Sequence, residues 1–389
     1  MLSCFFKKES QRSCAIPLRV KAPAIVVILM AICSSLDFSL FWYQQKQAVN
    51  QEKQDALRTT LKQVEFQMSL ISTFAAAQSD LVSLLPSIQN AFQRQDREWI
   101  KTELAAFFKR QKESYNLELF QMHTPPATSF FRAHKPETFG DDLSQARMMV
   151  VATNKFKTTQ KGLEMGRAGL AIRGVSPIFS QANHLGSLEF GYNLKPIIDN
   201  VKNTLGIHLG IYIDEKLGAA VKEFDQNKNY SDYVGGYIYL DSTDKNIIQK
   251  VAASSTFQDT LEPQFGSIAI EKIEYGKVMA PLIDYSGAKI GFIFIIKKFD
   301  QLDANFSKNI IWKCISLLLQ LIVLAGVAIT VYNGTLVSPL IHLTRKCVLL
   351  HEKDDSALNE FKERKDEIGI LANTISNLSL TKKNNKPKP

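Results

Sequence analysis

The sequence predicts an α+β protein held between two apolar helices, and three observations carry that prediction. Two stretches are apolar enough to span a bilayer, a helix with a heptad-like stripe follows the first, and two sets of short strands separated by one helix fill the middle. With 389 residues, 45% hydrophobic and 22% charged, the balance is that of a globular rather than a disordered chain.

The first apolar stretch, 22–43, has an uncharged core AIVVILMAICSSL ahead of Asp37, and the second, 310–332, contains CISLLLQLIVLAGVAITVY without a charge. Crossing the hydrocarbon core takes roughly 20 apolar residues as a helix, so both read as transmembrane helices. Their rivals are buried soluble helices and, for the first, a cleaved signal peptide. No small-x-small cleavage site precedes Gln44-Gln45-Lys46, and Phe41-Trp42-Tyr43 reads as an interface belt, which favours a retained anchor. Lys7, Lys8, Arg12, Arg19 and Lys21 crowd residues 1–21, while Arg345 and Lys346 follow the second span. The positive-inside rule then places both termini in the cytoplasm and residues 44–309 outside an inner (cytoplasmic) membrane. The net charge of +9 arises partly from these flanks and suits anionic lipid headgroups, with no need for nucleic acid. Cys4, Cys14, Cys33, Cys314 and Cys347 all fall outside 44–309, so that segment stands on its own core without disulfides.

After the first span, Leu57, Leu61, Val64, Met68, Ile71, Ala75 and Gln78 recur at alternating steps of four and three. This predicts one long helix whose seam faces either a partner helix in a dimer or the protein's own core. Pro86 ends or kinks it. A second amphipathic helix carries Phe92, Trp99, Ile100, Leu104, Phe107 and Phe108. NLELFQMHT, MMVVATNKF, LAIRGVSPIF and HLGSLEFGY read as strands of one module, about 110–195. Lys195 to Leu205 reads as a helix. IHLGIYID, GGYIYLD, KVMAPLID and KIGFIFIIKK read as strands of a second module, about 206–300, with KNIIQKVAASSTF as a short helix and a hairpin turn at Tyr285–Ala288. Beyond the second span, Leu340, Leu343, Cys347 and Leu350 recur at 3-4-3, as do Ile368, Leu371, Ile375 and Leu378. Pro339 starts the first of these helices and Asp366-Glu367 the second, and a four-helix bundle across a homodimer would bury both stripes. The end, TKKNNKPKP at 381–389, reads as a disordered basic tail.

Taken together, LVSPLIHLT and the downstream DEIGILANTISNL resemble a HAMP linker over 333–380. FQMHTPPATSFFRAHKPETFGDDLS, GLEMGRAGLAIRGVSPIF and GSLEFGY resemble the double Cache sensor domains of bacterial methyl-accepting chemotaxis receptors. That resemblance implies PAS-like tandem antiparallel sheets on a long stalk helix, a periplasmic sensor whose membrane-distal module is 110–195, and a receptor that relays solute binding through HAMP in chemotaxis or other signal transduction. The sequence ends at Pro389, before the output domains that follow HAMP in such proteins. The alternatives are the sensor part of a histidine kinase or diguanylate cyclase whose output is missing or separately encoded, and a membrane adaptor that binds a partner protein. A separate cytoplasmic signalling protein would then be a partner.

No Gly-x-Ser-x-Gly, His-Glu-x-x-His, phosphate loop or Cys-x-x-Cys is present, and the six His lack metal-ligand spacing, so no enzyme, cofactor or metal is expected. The candidate binding group is Arg167 and Arg173 with Glu164 and Glu189. Strand alternation places Arg167 and Arg173 on one face with Leu163 and Val175. A charge among apolar residues must either line a pocket or be paired internally, for Arg173 with Glu189. Resemblance to citrate- and fumarate-sensing kinases implies that Arg173, in AIRGVSPIF, binds a ligand carboxylate, although Val175 stands where that family has a lysine. The solute expected is a carboxylate or an amino acid. His123, Thr124 and Arg132 flank a Pro-Pro loop that is either a binding loop or a rigid turn, and Asp141-Asp142 reads as a helix N-terminus. Asp37 and Lys313, alone near the membrane interior, either pair with each other or snorkel outward, and with Pro339 and Glu367 they are candidates for signal relay.

Overall fold

The computed structural model describes residues 18–167, 169–218, 232–349 and 358–384. The basic residues Lys7, Lys8 and Arg12, the repeat position Leu350 and the tail residues 385–389 lie outside these ranges. The chain forms two compact units, one of Val49–Leu302 and one of the flanking segments Met1–Ala48 and Asp303–Pro389.

The Val49–Leu302 unit is built on the later part of α1 (Leu18–Ser83). Helix α1 stops before Pro86, which takes the first turn of α2 (Pro86–Gln93), where its missing N–H costs nothing. The single helix expected over Phe92–Phe108 is in fact two. Gln95 adopts a positive φ of 58°, and α3 (Arg97–Tyr115) restarts with Asp96 accepting a hydrogen bond from the Trp99 N–H at 3.0 Å. The first sheet contains β1 (Leu117–Thr124), β2 (Thr128–Arg132), β3 (Gln160–Gly166), β4 (Gly169–Ser180) and β5 (Asn183–Tyr192), all antiparallel in the order β2-β1-β5-β4-β3. MMVVATNKF, expected as a strand, is helix α4 (Met148–Phe156). Its branched residues suit a strand, but the Glu164 carboxylate accepts a hydrogen bond from the Met149 N–H at 2.7 Å, and Met149 and Val150 pack on Val175. Tertiary contacts override propensity here.

Helix α5 (Lys195–Leu205) leads to the second sheet, ending at Gly206, whose φ of +61° closes the helix in the left-handed conformation glycine adopts without strain. That sheet contains β6 (Ile207–Asp214), β7 (Tyr233–Val234), β8 (Tyr237–Ser242), β9 (Gln264–Ile270), β10 (Ile273–Ile283) and β11 (Lys289–Lys298), in the order β7-β8-β6-β11-β10-β9. Helix α6 (Lys245–Ala253), capped by Asp244, covers one face of it.

Each sheet turns one face to α1. Leu57, Leu61 and Val64 are buried with Ile207, Leu209, Ile211 and Ile295 of the second sheet, and Ala75 and Val82 with Phe120, Leu188 and Phe190 of the first. The sequence-predicted seam is therefore consumed by the protein's own core. Burying Leu57, Leu61 and Val64 alone contributes on the order of 5–9 kcal/mol, as much as the net stability of a typical domain. At 3.6 residues per turn, the opposite side of the same helix carries Phe66, Leu70 and Leu81, each more than half exposed.

In the unit of flanking segments, α1 and α7 (Asp300–Tyr332) are both long and apolar enough to cross a membrane. Lys313 Nζ of α7 lies 2.8 Å from Asp37 Oδ2 of α1 and 5.2 Å from the centre of the Phe41 ring. Pro339 falls at the second residue of its helix, as expected, but that helix has no free start. Helix α7 continues through a π-helical turn, Asn333–Val337, directly into α8 (Ser338–Leu349). Proline has no N–H to donate back and its ring crowds the preceding turn, and the widened turn falls just before it. After the short α9 (Asn359–Lys362), α10 (Glu367–Asn384) begins with Asp366 accepting a hydrogen bond from the Gly369 N–H at 3.1 Å. Leu343, Leu358, Phe361, Ile368 and Ala372 bury one another, with Cys347 and Ile375 packed against them, whereas Leu340, Leu371 and Leu378 are exposed.

Candidate functional site: the buried polar face of the first sheet

Side chains two apart on a strand share a face. On the outer face of the first sheet, away from α1, the strands present Gln121 and His123 (β1), Ser129 and Arg132 (β2), Glu164 (β3), Arg173 and Val175 (β4), and Ser187 and Glu189 (β5). The Cα register sets Gln121 opposite both Glu189 and Arg132, and His123 opposite both Ser187 and Ser129. Every one of these polar residues is buried. The cover comes from α4, the segment before it and the β1–β2 turn, through Met149, Val150, Leu143 and Ala127 packed with Val175.

The centre is a four-residue ion cluster. Arg147 donates from Nε to Glu164 Oε2 at 2.8 Å and from Nη2 to Glu189 Oε1 at 2.7 Å. Arg173 donates from Nη1 to the same Glu189 oxygen, from Nε to the Glu164 carbonyl at 3.4 Å and from Nη2 to the Gly169 carbonyl at 3.3 Å. Two cations and two carboxylates balance. Burial would raise the Glu189 carboxyl, but Arg147 and Arg173 more than offset it and hold it well below the usual carboxylate range. Burial would likewise lower the Arg147 guanidinium, yet Glu189 and Glu164 keep it firmly protonated. Burial drives His123 down to about 3, so its ring is neutral at pH 7. Beside this cluster, Arg132 and Arg167 converge on Asp141, at 2.8 Å each, and Arg167 Nη2 also donates to the Asp142 carbonyl at 3.0 Å.

The face is also rich in buried polar atoms without a protein partner: Gln121 Oε1, both ring nitrogens of His123, Ser129 Oγ, Ser187 Oγ and Glu189 Oε2. His123 Nε2 is 3.6 Å from Glu189 Oε2, too long for a hydrogen bond. Folded proteins pair the great majority of such atoms, so this concentration singles the face out as the candidate site. The outer face of the second sheet differs in kind. Tyr212, Phe292, Phe294 and Ile296 fill it and pack on Ile248, Val251 and Ala252, leaving Tyr212 Oη and His208 Nδ1 as its unpartnered buried side-chain atoms among the described residues.

The structure thus brings together Glu164, Arg173, Glu189 and His123, with Arg132 and Arg167 alongside. Arg167 does not share a strand face with Arg173, because it sits in the turn between β3 and β4, where alternation stops. Leu163 faces the inner core and Glu164 the cluster. Asp141 and Asp142 do not start a helix; Asp141 is the anion between two arginines. Arg147, Gln121, Ser129 and Ser187 were not singled out by sequence. Polar residues at alternate positions in FQMHT and HLGSLEF would have flagged Gln121 and Ser187, whereas Arg147, in a loop, carries no local signal.

Comparison with known proteins bears on this arrangement. The family model described as the double sensory domain of two-component sensor kinase matches residues 50–301. Among solved structures, the chain is similar to the ligand-binding domain of the Campylobacter jejuni chemoreceptor Tlp3 in complex with L-valine, at 13% identity and a TM-score of 0.40, covering 67% of this chain and 97% of that one. It is also similar to the sensor domain of the V. cholerae histidine kinase DctB, at 10% identity and a TM-score of 0.40, covering 66% and 99%. The E. coli DcuS sensor domain matches at 14% identity and a TM-score of 0.27, covering 35% of this chain and 98% of that one. No curated protein matches the sequence. With the family model spanning more than half of its length, the chain belongs to the family of double sensory domains of two-component sensor kinases.

Proposed function

We propose that this chain is a membrane-anchored sensor that binds a small extracytoplasmic solute on the outer face of its first sheet. The observation that carries this reading is the buried polar face, with its balanced ion cluster and its concentration of unpartnered polar atoms, in a family of sensory domains. Its guanidiniums are held by carboxylates, and the role we assign to the face is binding. Helices α1 and α7 serve as the two membrane spans, both termini lie in the cytoplasm, and α8 and α10 act as a HAMP-like relay, with Pro339, Glu367 and the Asp37–Lys313 pair along the route. The working state is a homodimer. The exposed Phe66, Leu70 and Leu81 stripe on α1, opposite the buried seam, supports a helix-to-helix contact between two copies. A separate cytoplasmic protein would receive the signal, in chemotaxis or a related pathway.

The direct test is thermal unfolding of the Val49–Leu302 unit against a broad panel of amino acids, carboxylates and amines. A solute at one hundred times its Kd stabilises by about 2.7 kcal/mol, which raises the Tm of a unit this size by roughly 5–10 °C. No shift with any member ends the sensing reading. Protease protection or a reporter fusion at Gly186 tests topology, and a cytoplasmic Gly186 would refute it.

A further inference from the structure

We infer that the solute is recognised through an amino group, docked on Glu189 Oε2 and its neighbours, rather than through a carboxylate on Arg173; this rests on the sensing reading above. The donors and acceptors of the face are distributed unequally. The strong cationic donors are engaged: Arg173 by Glu189, the Glu164 carbonyl and the Gly169 carbonyl, and Arg147 by Glu164 and Glu189. Of the unpartnered atoms, Glu189 Oε2 and Gln121 Oε1 can only accept, the neutral His123 ring offers one donor and one acceptor, and the Ser129 and Ser187 hydroxyls can do either. An ionised carboxylate can only accept, and both guanidiniums take Glu189 Oε1, leaving Oε2 without a donor in a residue 0% exposed.

The neighbours of Glu189 Oε2 extend the same chemistry. Gln121, opposite Glu189 in register, offers its unpartnered Oε1, and Ser187 and Ser129 flank His123 with unpartnered hydroxyls. Gln121, Ser187 and Ser129 are all at least nine-tenths buried. An ammonium carries three N–H donors and no acceptor, so it complements a carboxylate oxygen, an amide oxygen and a hydroxyl. A carboxylate brought to the same place would meet the ionised Glu189 head-on, with Arg173 already occupied. The class of solute is therefore a small primary amine, either an amino acid or an aliphatic amine.

The test uses the full chain in lipid nanodiscs and reads binding by calorimetry. The probes are the common L-amino acids and short aliphatic amines, their N-acetylated counterparts, and amine-free dicarboxylates such as succinate. The expected result is binding by at least one amine, weakened tenfold or more on N-acetylation. It should also weaken tenfold or more in Gln121→Leu, which leaves every Arg–Glu contact in place and keeps the variant folded where Glu189→Gln could fail to fold. If succinate or another amine-free acid binds best and Gln121→Leu has no effect, the amine inference falls while solute sensing stands. Amine binding that ignores both N-acetylation and Gln121→Leu also overturns it. Absence of binding by every probe overturns the sensing reading and this one with it.

Discussion

Replacing Arg147 is the most direct test of the ion cluster. The residue is 3% exposed and makes two charge-assisted hydrogen bonds, of 2.8 Å to Glu164 and 2.7 Å to Glu189. Arg147→Leu fills similar apolar volume but leaves two buried carboxylates facing one guanidinium. Breaking a buried pair in this way costs about 3–5 kcal/mol, because a charge is left uncompensated. At roughly 2–4 °C per kcal/mol for a unit of this size, the Tm should fall by about 10 °C. The loss should shrink in acid. Glu189 has a folded value below its ordinary 4.5, so the stability it contributes is present above that pH and disappears as pH falls. A companion variant sharpens the test. Arg147→Leu combined with Glu164→Gln returns the cluster to one cation and one anion and keeps an oxygen for the Met149 N–H, so the double variant should recover more than half of the loss. Differential scanning calorimetry of the Val49–Leu302 unit reads all of this. A fall of under 2 °C for Arg147→Leu would refute the balanced-cluster argument.

Three further outcomes follow from the same geometry. His123, whose folded value is about 3 against an ordinary 6.5, resists protonation only while folded, so its contribution is lost as pH drops below 6.5; between pH 6.5 and 5 that amounts to about 2 kcal/mol, and urea titrations at both pH values should show His123→Gln losing less than wild type. A Cβ on Gly174 would sit 2.2 Å from the Ala76 backbone nitrogen, so Gly174→Val must lever α1 off β4 and should cost about 3 kcal/mol in chemical denaturation. Leu70→Glu with Leu81→Glu, both on the exposed side of α1, should leave the Tm within a few degrees while abolishing a dimer in sedimentation equilibrium; an unchanged dimer would place the interface elsewhere.

Local chemistry made some of this architecture legible and hid the rest. Helix α5, from Lys195 to Leu205, was readable because Pro196 and Gly206 punctuate an amphipathic run. The β10–β11 hairpin was readable from Tyr-Ser-Gly-Ala, and Asp284 indeed accepts from the backbone N–H groups of Ser286 and Ala288. The seam on α1 was visible in its spacing, but spacing cannot say whether a stripe meets a second chain or the chain's own sheets. The structure settles it, since Val64 and Ala75 are fully buried within one copy. Helix α4 was misread because its partner, Glu164, is far along the chain. Glu189 was legible as a charge amid apolar strand residues, while Arg147 was not, since a loop arginine looks the same whether it faces solvent or two carboxylates.

The two sheets share a plan but differ in what fills their outer faces, and that difference bears on how a signal would leave the first one under the proposed reading. Aromatic side chains fill the outer face of the second sheet, so a solute there would have to displace packed core, at a cost of about 3–5 kcal/mol for each large side chain expelled. On the first sheet, a solute would instead satisfy atoms that lack partners. Strand β4 then forms the shortest path to α1. It carries Arg173 toward the polar face, while Gly174 and Ser176, on its other side, press directly on the helix. Ser176 Oγ meets Ser79 Oγ at 2.6 Å. With no side chain at Gly174 to absorb movement, a shift of the Arg173–Glu189 pair would reach α1 through the thickness of a single strand. Allosteric coupling of about 1–3 kcal/mol requires only that the solute prefer one of two arrangements by that amount. That is less than the cost of breaking the Arg147 pairs, so the proposed coupling does not require the cluster to come apart.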